Sequence, residues 1–335
     1  MDHEIRDIAA LESCVGRTPG PMHLKVIDHL DAGAIRWLAA SPLLFAGFGS
    51  GADIGISLAG GRPGFVDVVD ASKIRLPKAF LDSPEVAHEG KGFGALSLIP
   101  TIGESLRING RVNAVDLDAI EIQVEECYIH CAKALIRSDF WNARPQPTTP
   151  SEPAEFLAAS RFVALATADG EGHGDVSPKG DPAGMMIRLF DGAVWFADRP
   201  GNRRTDSFRN MLSQPRVAVA VLIPGAIRVA LLRGEARLTQ GERARTGFAV
   251  QGKTPLLATR IERPEIMLID SAAIARARLW PANAPNPTIA PAAMITAHVK
   301  LSKERSLQAT LVRAAVSVPG LMQKGLDRDY KSNLY

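Results

Sequence analysis

Residues 198–210 read DRPGNRRTDSFRN and place Arg199, Arg203, Arg204 and Arg209 where an apolar run, AVWFA, gives way to a helical pattern. A helix start is already the positive end of the macrodipole, so this much added positive charge asks for an anion. Asn202 suits the N-cap of a helix running from Arg203 to Ser213. The first turn of such a helix leaves backbone N–H groups unpaired. With Arg203, Arg204 and Ser207 they make a cradle for a phosphate. A solvated basic turn, with Arg199 and Arg209 as surface residues, is the plain alternative. Upstream, GDVSPKGDPAGM brings Ser177 and Lys179 to a strand end, a hydroxyl and an ammonium able to meet the same anion. Its plain alternative is a turn stapled by Asp181.

These segments sit in the second of two similar halves. NARPQPTTPSEPAEF (142–156) is rich in proline and polar residues and reads as a linker. On either side the same features recur in the same order. AASPLLFAGF matches AASRFVALAT, GISLAG matches DVSPKG, and LIP recurs at Leu98 and Leu222. RINGRV matches LLRGEA, and IRSDFW and ARARLW end at Trp141 and Trp280. The spacing between partners only widens along the chain, as one register with insertions requires. Short runs rich in Val, Ile and Phe, such as LLFAGF, FGALSLI, FVALAT and RVAVAVLI, read as strands. Helical patterns are few: Arg203 to Ser213, Glu242 to Val250, and a helix before each of Trp141 and Trp280. Many strands with few helices point to mainly β modules of small-barrel type rather than a parallel sheet. The expected division is 1–145 with a helical lead-in, 151–281, and a partly helical tail 282–335.

Composition narrows the function. The 335 residues suit more than one domain, and 46% hydrophobic with 22% charged residues is ordinary for a globular protein. A net charge of +3 argues against nucleic acid as the partner. No apolar run approaches the roughly 20 residues of a membrane span. Three cysteines, Cys14, Cys127 and Cys131, suit neither a disulfide framework nor a zinc site. The opening MDHEIRDIAALE lacks the pattern of a signal peptide, so a cytoplasmic location and no metal are expected. GFGSG and GKGFG do not complete the glycine pattern of a dinucleotide-binding turn.

Taken together, DVSPKGD, WFADRPGNRRTDSFRN and PRVAVAVLIPG resemble the pyridoxamine 5′-phosphate oxidase-like family of FMN-binding split barrels. KVIDHLDAGAIRWLAASP, IGESLRINGRV and VEECYIHCAKALIRSDFW in the first half resemble it too. The resemblance implies tandem split β-barrels that pair within the chain as a pseudo-dimer, with FMN at their junction. It implies that Ser177, Lys179, Arg203, Arg204 and Ser207 hold the phosphate, while Asn202 and Asp198 shape the turn. Arg107, His130, Lys133 and Arg137 become candidates to face the ring or substrate, the last three as catalytic candidates. The first copy lacks the phosphate groups, and the second lacks an equivalent of HCAK, so one composite site and one FMN per chain are expected. The implied activity is that of an FMN-dependent oxidoreductase acting on a small molecule, with NADH or NADPH as a reductant and with further homodimerisation open. A non-catalytic flavin- or haem-binding protein, with His130 as the haem ligand, is the alternative.

Overall fold

The computed structural model describes residues 3–201, 204–282 and 288–335. The chain opens with β1 (Glu4–Ile5) and α1 (Ile8–Val15). A first module follows: α2 (Ala32–Ala40), β2 (Leu43–Ser50), β3 (Asp53–Gly60), β4 (Asp67–Asp70), β5 (Lys73–Pro77), β6 (Gly92–Leu98), β7 (Ser105–Val115), β8 (Ala119–His130) and α3 (Lys133–Arg137). The second comprises α4 (Pro153–Ala159), β9 (Phe162–Ala168), β10 (Gly174–Gly180), β11 (Arg188–Phe190), β12 (Ala193–Ala197), α5 (Asp206–Ser213), β13 (Arg216–Leu222), β14 (Arg228–Thr239), α6 (Glu242–Thr246), β15 (Ala258–Asp270) and α7 (Ala272–Ala277). Three helices close the described chain: α8 (Pro291–Leu301), α9 (Leu307–Val316) and α10 (Leu321–Ser332).

The first sheet has the spatial order β3-β2-β6-β7-β8-β5-β4 and the second β10-β9-β13-β14-β15-β12-β11. Element for element these are one topology, so the fold is mainly β, two tandem split barrels. Ser41 and Ser160, matched in the sequence, are the C-caps of α2 and α4. The modules differ most after β5 and β12. There the first has two 3-10 turns, Lys78–Phe80 and Pro84–Val86, and the second has α5.

The central strands show almost no polar alternation because both of their faces are buried. Leu44, Ala46 and Phe48 of β2 point into the first barrel's core, while Leu43 and Phe45 point into the junction between barrels. Likewise Val217, Val219 and Val221 of β13 fill the second core, and Ala218, Ala220 and Leu222 face the junction. This is the two-residue period of a strand applied to two cores at once. Small side chains on the shared face let the sheets come close. The approach is reciprocal: a Cβ on Gly180 of β10 would overlap the Ala134 carbonyl of α3, and one on Gly60 of β3 would overlap the Ala273 carbonyl of α7. Phe140 ties the junction, its ring 5.0 Å from Phe162 and 5.1 Å from Trp280, whose indole N–H donates to the Phe140 carbonyl at 2.8 Å. Trp141 and Trp280 thus anchor the junction rather than a single core.

The outer segments cross over. β1 pairs with β14, and Ile5 and Leu11 are buried in the second core, so the expected lead-in to the first module packs on the second. Conversely Ile289, Met294, Ile295 and Val299 complete the first core. Part of the expected linker is helical, because α4 begins at Pro153, a residue suited to the first helical turn. No helix among the described residues is long and apolar enough to cross a membrane.

Candidate functional site

Arg107, on β7, is 1% exposed and crosses from the first module to the second. Its Nη1 donates to Asp175 Oδ1 at 2.6 Å and to the Tyr128 hydroxyl at 2.9 Å, and its Nη2 donates to Ser177 Oγ at 3.0 Å. Ser177 Oγ donates in turn to Asp175 Oδ2 at 3.0 Å. Burial disfavours the charge on Arg107, but Asp175 and Tyr128 outweigh it and raise its pKa further above the ordinary value. Arg204 lies on the other side of Tyr128, its guanidinium carbon 4.4 Å from the ring centroid and its Nε bonded to Asp206 at 2.7 Å.

This layer floors a cleft whose walls come from both modules. The first contributes His130, Cys131, Ala134 and Arg137 from the end of β8 and from α3; the second contributes residues around Ser177–Asp181, Asp198–Arg199, Arg204 and Ser207. Among the described lining residues, four cations (Arg137, Lys179, Arg199, Arg204) face two carboxylates, Asp181 and Asp198. Lys179 Nζ stands 3.9 Å from Asp198 and over the Phe208 ring at 4.7 Å. Burial lowers its pKa, with Asp198 opposing, and burial raises the pKa of Asp198. Among the described residues Arg137 donates only to carbonyls, those of Gly180 (3.0 Å), Pro200 (3.2 Å) and Leu334 (2.8 Å), and burial lowers its pKa as well. Charged groups short of counter-charge in a buried cleft favour an added anion.

The candidates therefore divide. His130, Arg137, Ser177, Lys179, Asp198, Arg204 and Ser207 line one cleft. Arg107 lies beneath it, holding Ser177. Lys133 is turned away and 2% exposed, with Nζ 2.9 Å from Asp329 of α10. Asn202 and Arg203 lie outside the described residues. The helix starts later than expected: α5 begins at Asp206 with Thr205 as N-cap, so Arg204 precedes it and is free to turn onto Tyr128. Arg199, read as a surface residue, is 9% exposed and paired with Asp181 at 2.7 Å. Tyr128, Asp175 and Asp181 were not singled out for the site, although CYIH and GDVSPKGD contain them.

His130 Nδ1 lies 3.3 Å from the Cys131 carbonyl, which can only accept, so this nitrogen carries the proton of the neutral ring. Burial, then the charges of Arg107 and Lys25, hold its pKa well below 6.5. Unfolding frees the imidazole to bind a proton below about 6.5, where the folded ring stays neutral. Stability contributed by the neutral ring is therefore present above that pH and lost as pH falls toward the folded pKa, at up to about 1.4 kcal/mol per unit. His130→Asn should flatten the loss of urea resistance between pH 6.5 and 5 relative to the natural chain. Parallel curves for the two proteins would contradict this account of the histidine.

Comparison with known proteins bears on the second module. The pyridoxamine 5′-phosphate oxidase family matches residues 149–263. No curated protein matches the chain. Among solved structures, HupZ of Group A Streptococcus is 18% identical over 37% of this chain and 98% of its own, with a TM-score of 0.30. General Stress Protein 26 from Bacillus anthracis is 16% identical over 34% and 88%, with a TM-score of 0.27. An F420 reductase is 17% identical over 37% and 100%, also at 0.27. Scores this low add no further argument. The second module of this chain thus carries the match to the pyridoxamine 5′-phosphate oxidase family, and the first module repeats the second's strand order.

Proposed function

We propose that the protein binds one FMN at the junction of its barrels and uses it as an oxidoreductase on a small molecule. The cleft's charge carries this reading. Four cations line it against two carboxylates, and with Arg204 also paired to Asp206 an excess of one positive charge remains, which favours an anion such as a phosphate monoester. Arg199 Nη2 is buried with no hydrogen-bond partner among the described residues, a donor open to a bound ligand, although Asp181 Oδ1 beside it is also unpaired among them. Lys179, Arg204, the Ser207 hydroxyl and the N–H groups opening α5 would hold the phosphate, with Arg203 as their sequence neighbour. FMN, when bound, supplies hydride acceptance and return. His130, neutral at pH 7 with its proton on Nδ1, keeps a lone pair on Nε2 to receive a proton from substrate. The Arg107–Asp175–Ser177 bonds fix the floor without needing to move.

Stoichiometry follows from the related position on the other side of the junction. There Arg276 of α7 donates to the Gly60 carbonyl at 2.9 Å, as Arg137 does to Gly180. A cavity of about 850 Å³ opens beside Gly61, Phe80 and Arg276, but Ser57 and Ala59, the positions matching Ser177 and Lys179, are engaged by the chain itself. Asp82 accepts from the Ala273 N–H at 2.8 Å and from Ser271, Ser57 Oγ accepts from the Ser83 N–H at 2.9 Å, and Leu81 bridges to Ala59. A purified preparation soaked with FMN should show a flavin spectrum and one flavin per chain, reducible by NADH or NADPH under anaerobic conditions. A ratio near two would refute the single site. A Soret band in the protein as purified would favour haem, and no bound chromophore after soaking would refute the flavin reading.

A further inference from the structure

The cleft retains a cavity of about 70 Å³, room for a phosphate group but far below the several hundred Å³ that a drug-sized planar ligand occupies. Against two of its lining residues, Arg137 and Arg199, lies the segment at the end of α10. Asp329 pairs with Lys133 Nζ at 2.9 Å. The Tyr330 hydroxyl accepts from the Ala132 N–H at 3.3 Å and donates to Glu104 at 2.9 Å. The Leu334 carbonyl accepts from Arg137 at 2.8 Å. The Tyr335 ring lies 5.4 Å from the Arg199 guanidinium, and its backbone oxygen accepts from Lys253 at 2.7 Å. The segment thus presents a carbonyl and an aromatic face to two cations of the cleft, Arg137 and Arg199, while its carboxylate is tethered by Lys133 behind the cleft.

Its hold on the rest of the molecule is slight. α10 has no fully buried residue; Met322 and Leu326 pack partly against the first core. It starts at Gly320, whose φ of 74° lies in the left-handed region and whose missing side chain faces open space. An element anchored by polar contacts and few apolar ones opens at low cost.

We propose that Arg137 and Arg199 grip the ring end of a planar, phosphate-bearing ligand, and that residues 329–335, tethered through Lys133, occupy that place until the ligand enters. This rests on the flavin reading for the ligand's identity, but the occupancy of the cleft by the segment is tested without flavin. Competition by a tethered segment lowers apparent affinity by the fraction of molecules in which the place is open.

A chain ending at Arg328 should bind FMN at least tenfold more tightly than the full chain. A fluorescein-labelled peptide of residues 329–335, DYKSNLY, should bind the shortened chain in the absence of FMN and be released by FMN. Arg137→Ala in the shortened chain should weaken both ligands at least tenfold. Should the shortened chain fail to fold, Lys133→Ala in the full chain should speed amide exchange at residues 329–335 at least tenfold. Equal FMN affinity of the two chains, no peptide binding, or unchanged exchange each overturns the inference. If neither chain binds FMN while the peptide still binds, the flavin reading fails and the segment's occupancy of the cleft stands.

Discussion

Replacing Arg107 with methionine should cost about 3–5 kcal/mol of stability, because it leaves the Asp175 carboxylate buried without its partner. Asp175 is 4% exposed and Arg107 1%, so water cannot substitute at either end. The pair bridges β7 of the first barrel and β10 of the second, so the loss falls on the junction. Adding Asp175→Asn should recover a large share, since removing both charges of a buried pair is far less costly than removing one. Urea unfolding of the two single variants and the double closes the cycle. An Arg107→Met midpoint corresponding to less than about 1 kcal/mol of loss, set against the expectation above, would show that the pair is not what couples the barrels.

Lys179→Ala combined with Arg204→Ala should weaken FMN binding about 100-fold or more. Each removes a charge-assisted contact to phosphate, of about 1.5 kcal/mol or more in a buried setting, and 1.4 kcal/mol is tenfold in affinity. Riboflavin has the same ring and no phosphate, so its binding should change little. That contrast separates loss of the phosphate cradle from general damage to the cleft. Fluorescence titration with both ligands reads it directly. An equal loss for riboflavin would place the defect in the ring site, and an unchanged FMN affinity would remove Lys179 and Arg204 from the phosphate's partners. Arg203→Ala, measured alone, tests the neighbouring arginine in the same way.

The repeated strand order was legible because the matches fall at equivalent places in both barrels, Ser41 and Ser160 at helix C-caps and Gly110 and Gly234 within β7 and β14. That the barrels meet was implied by the resemblance, but which residues partner across the junction was not legible. In SLRINGRV, Leu106 and Ile108 face the first core, and an arginine between them reads as the solvent side of a half-buried strand. That side is instead the meeting face of a second barrel, which one strand's alternation cannot announce. Arg199 is hidden for the same reason, since its partner Asp181 lies beyond another strand. The late start of α5 has a local cause. Asn202, Thr205 and Asp206 are all acceptable capping types, and propensity alone does not choose among them. The gathering of HCAK with SPKGD was expected from complementary losses in the two copies, and the cleft brings His130 and Arg137 beside Ser177 and Lys179. The turning of Lys133 toward Asp329 depends on a helix nearly two hundred residues away, a contact no local pattern encodes.

The pairing of β1 with β14 sets a timetable for the chain as it leaves the ribosome. Glu4 and Ile5 emerge more than two hundred residues before their partners, Thr239 and Leu238. At roughly 5–20 residues per second, the first strand waits on the order of 10–50 seconds for the ladder it joins. The first barrel waits longer still for Met294 and Val299 to finish its core. The second core has all its parts once β15 is made, but the first stays unfinished until α8 appears, so a messenger truncated between the barrels would release a first barrel lacking part of its core and a first strand lacking its partner.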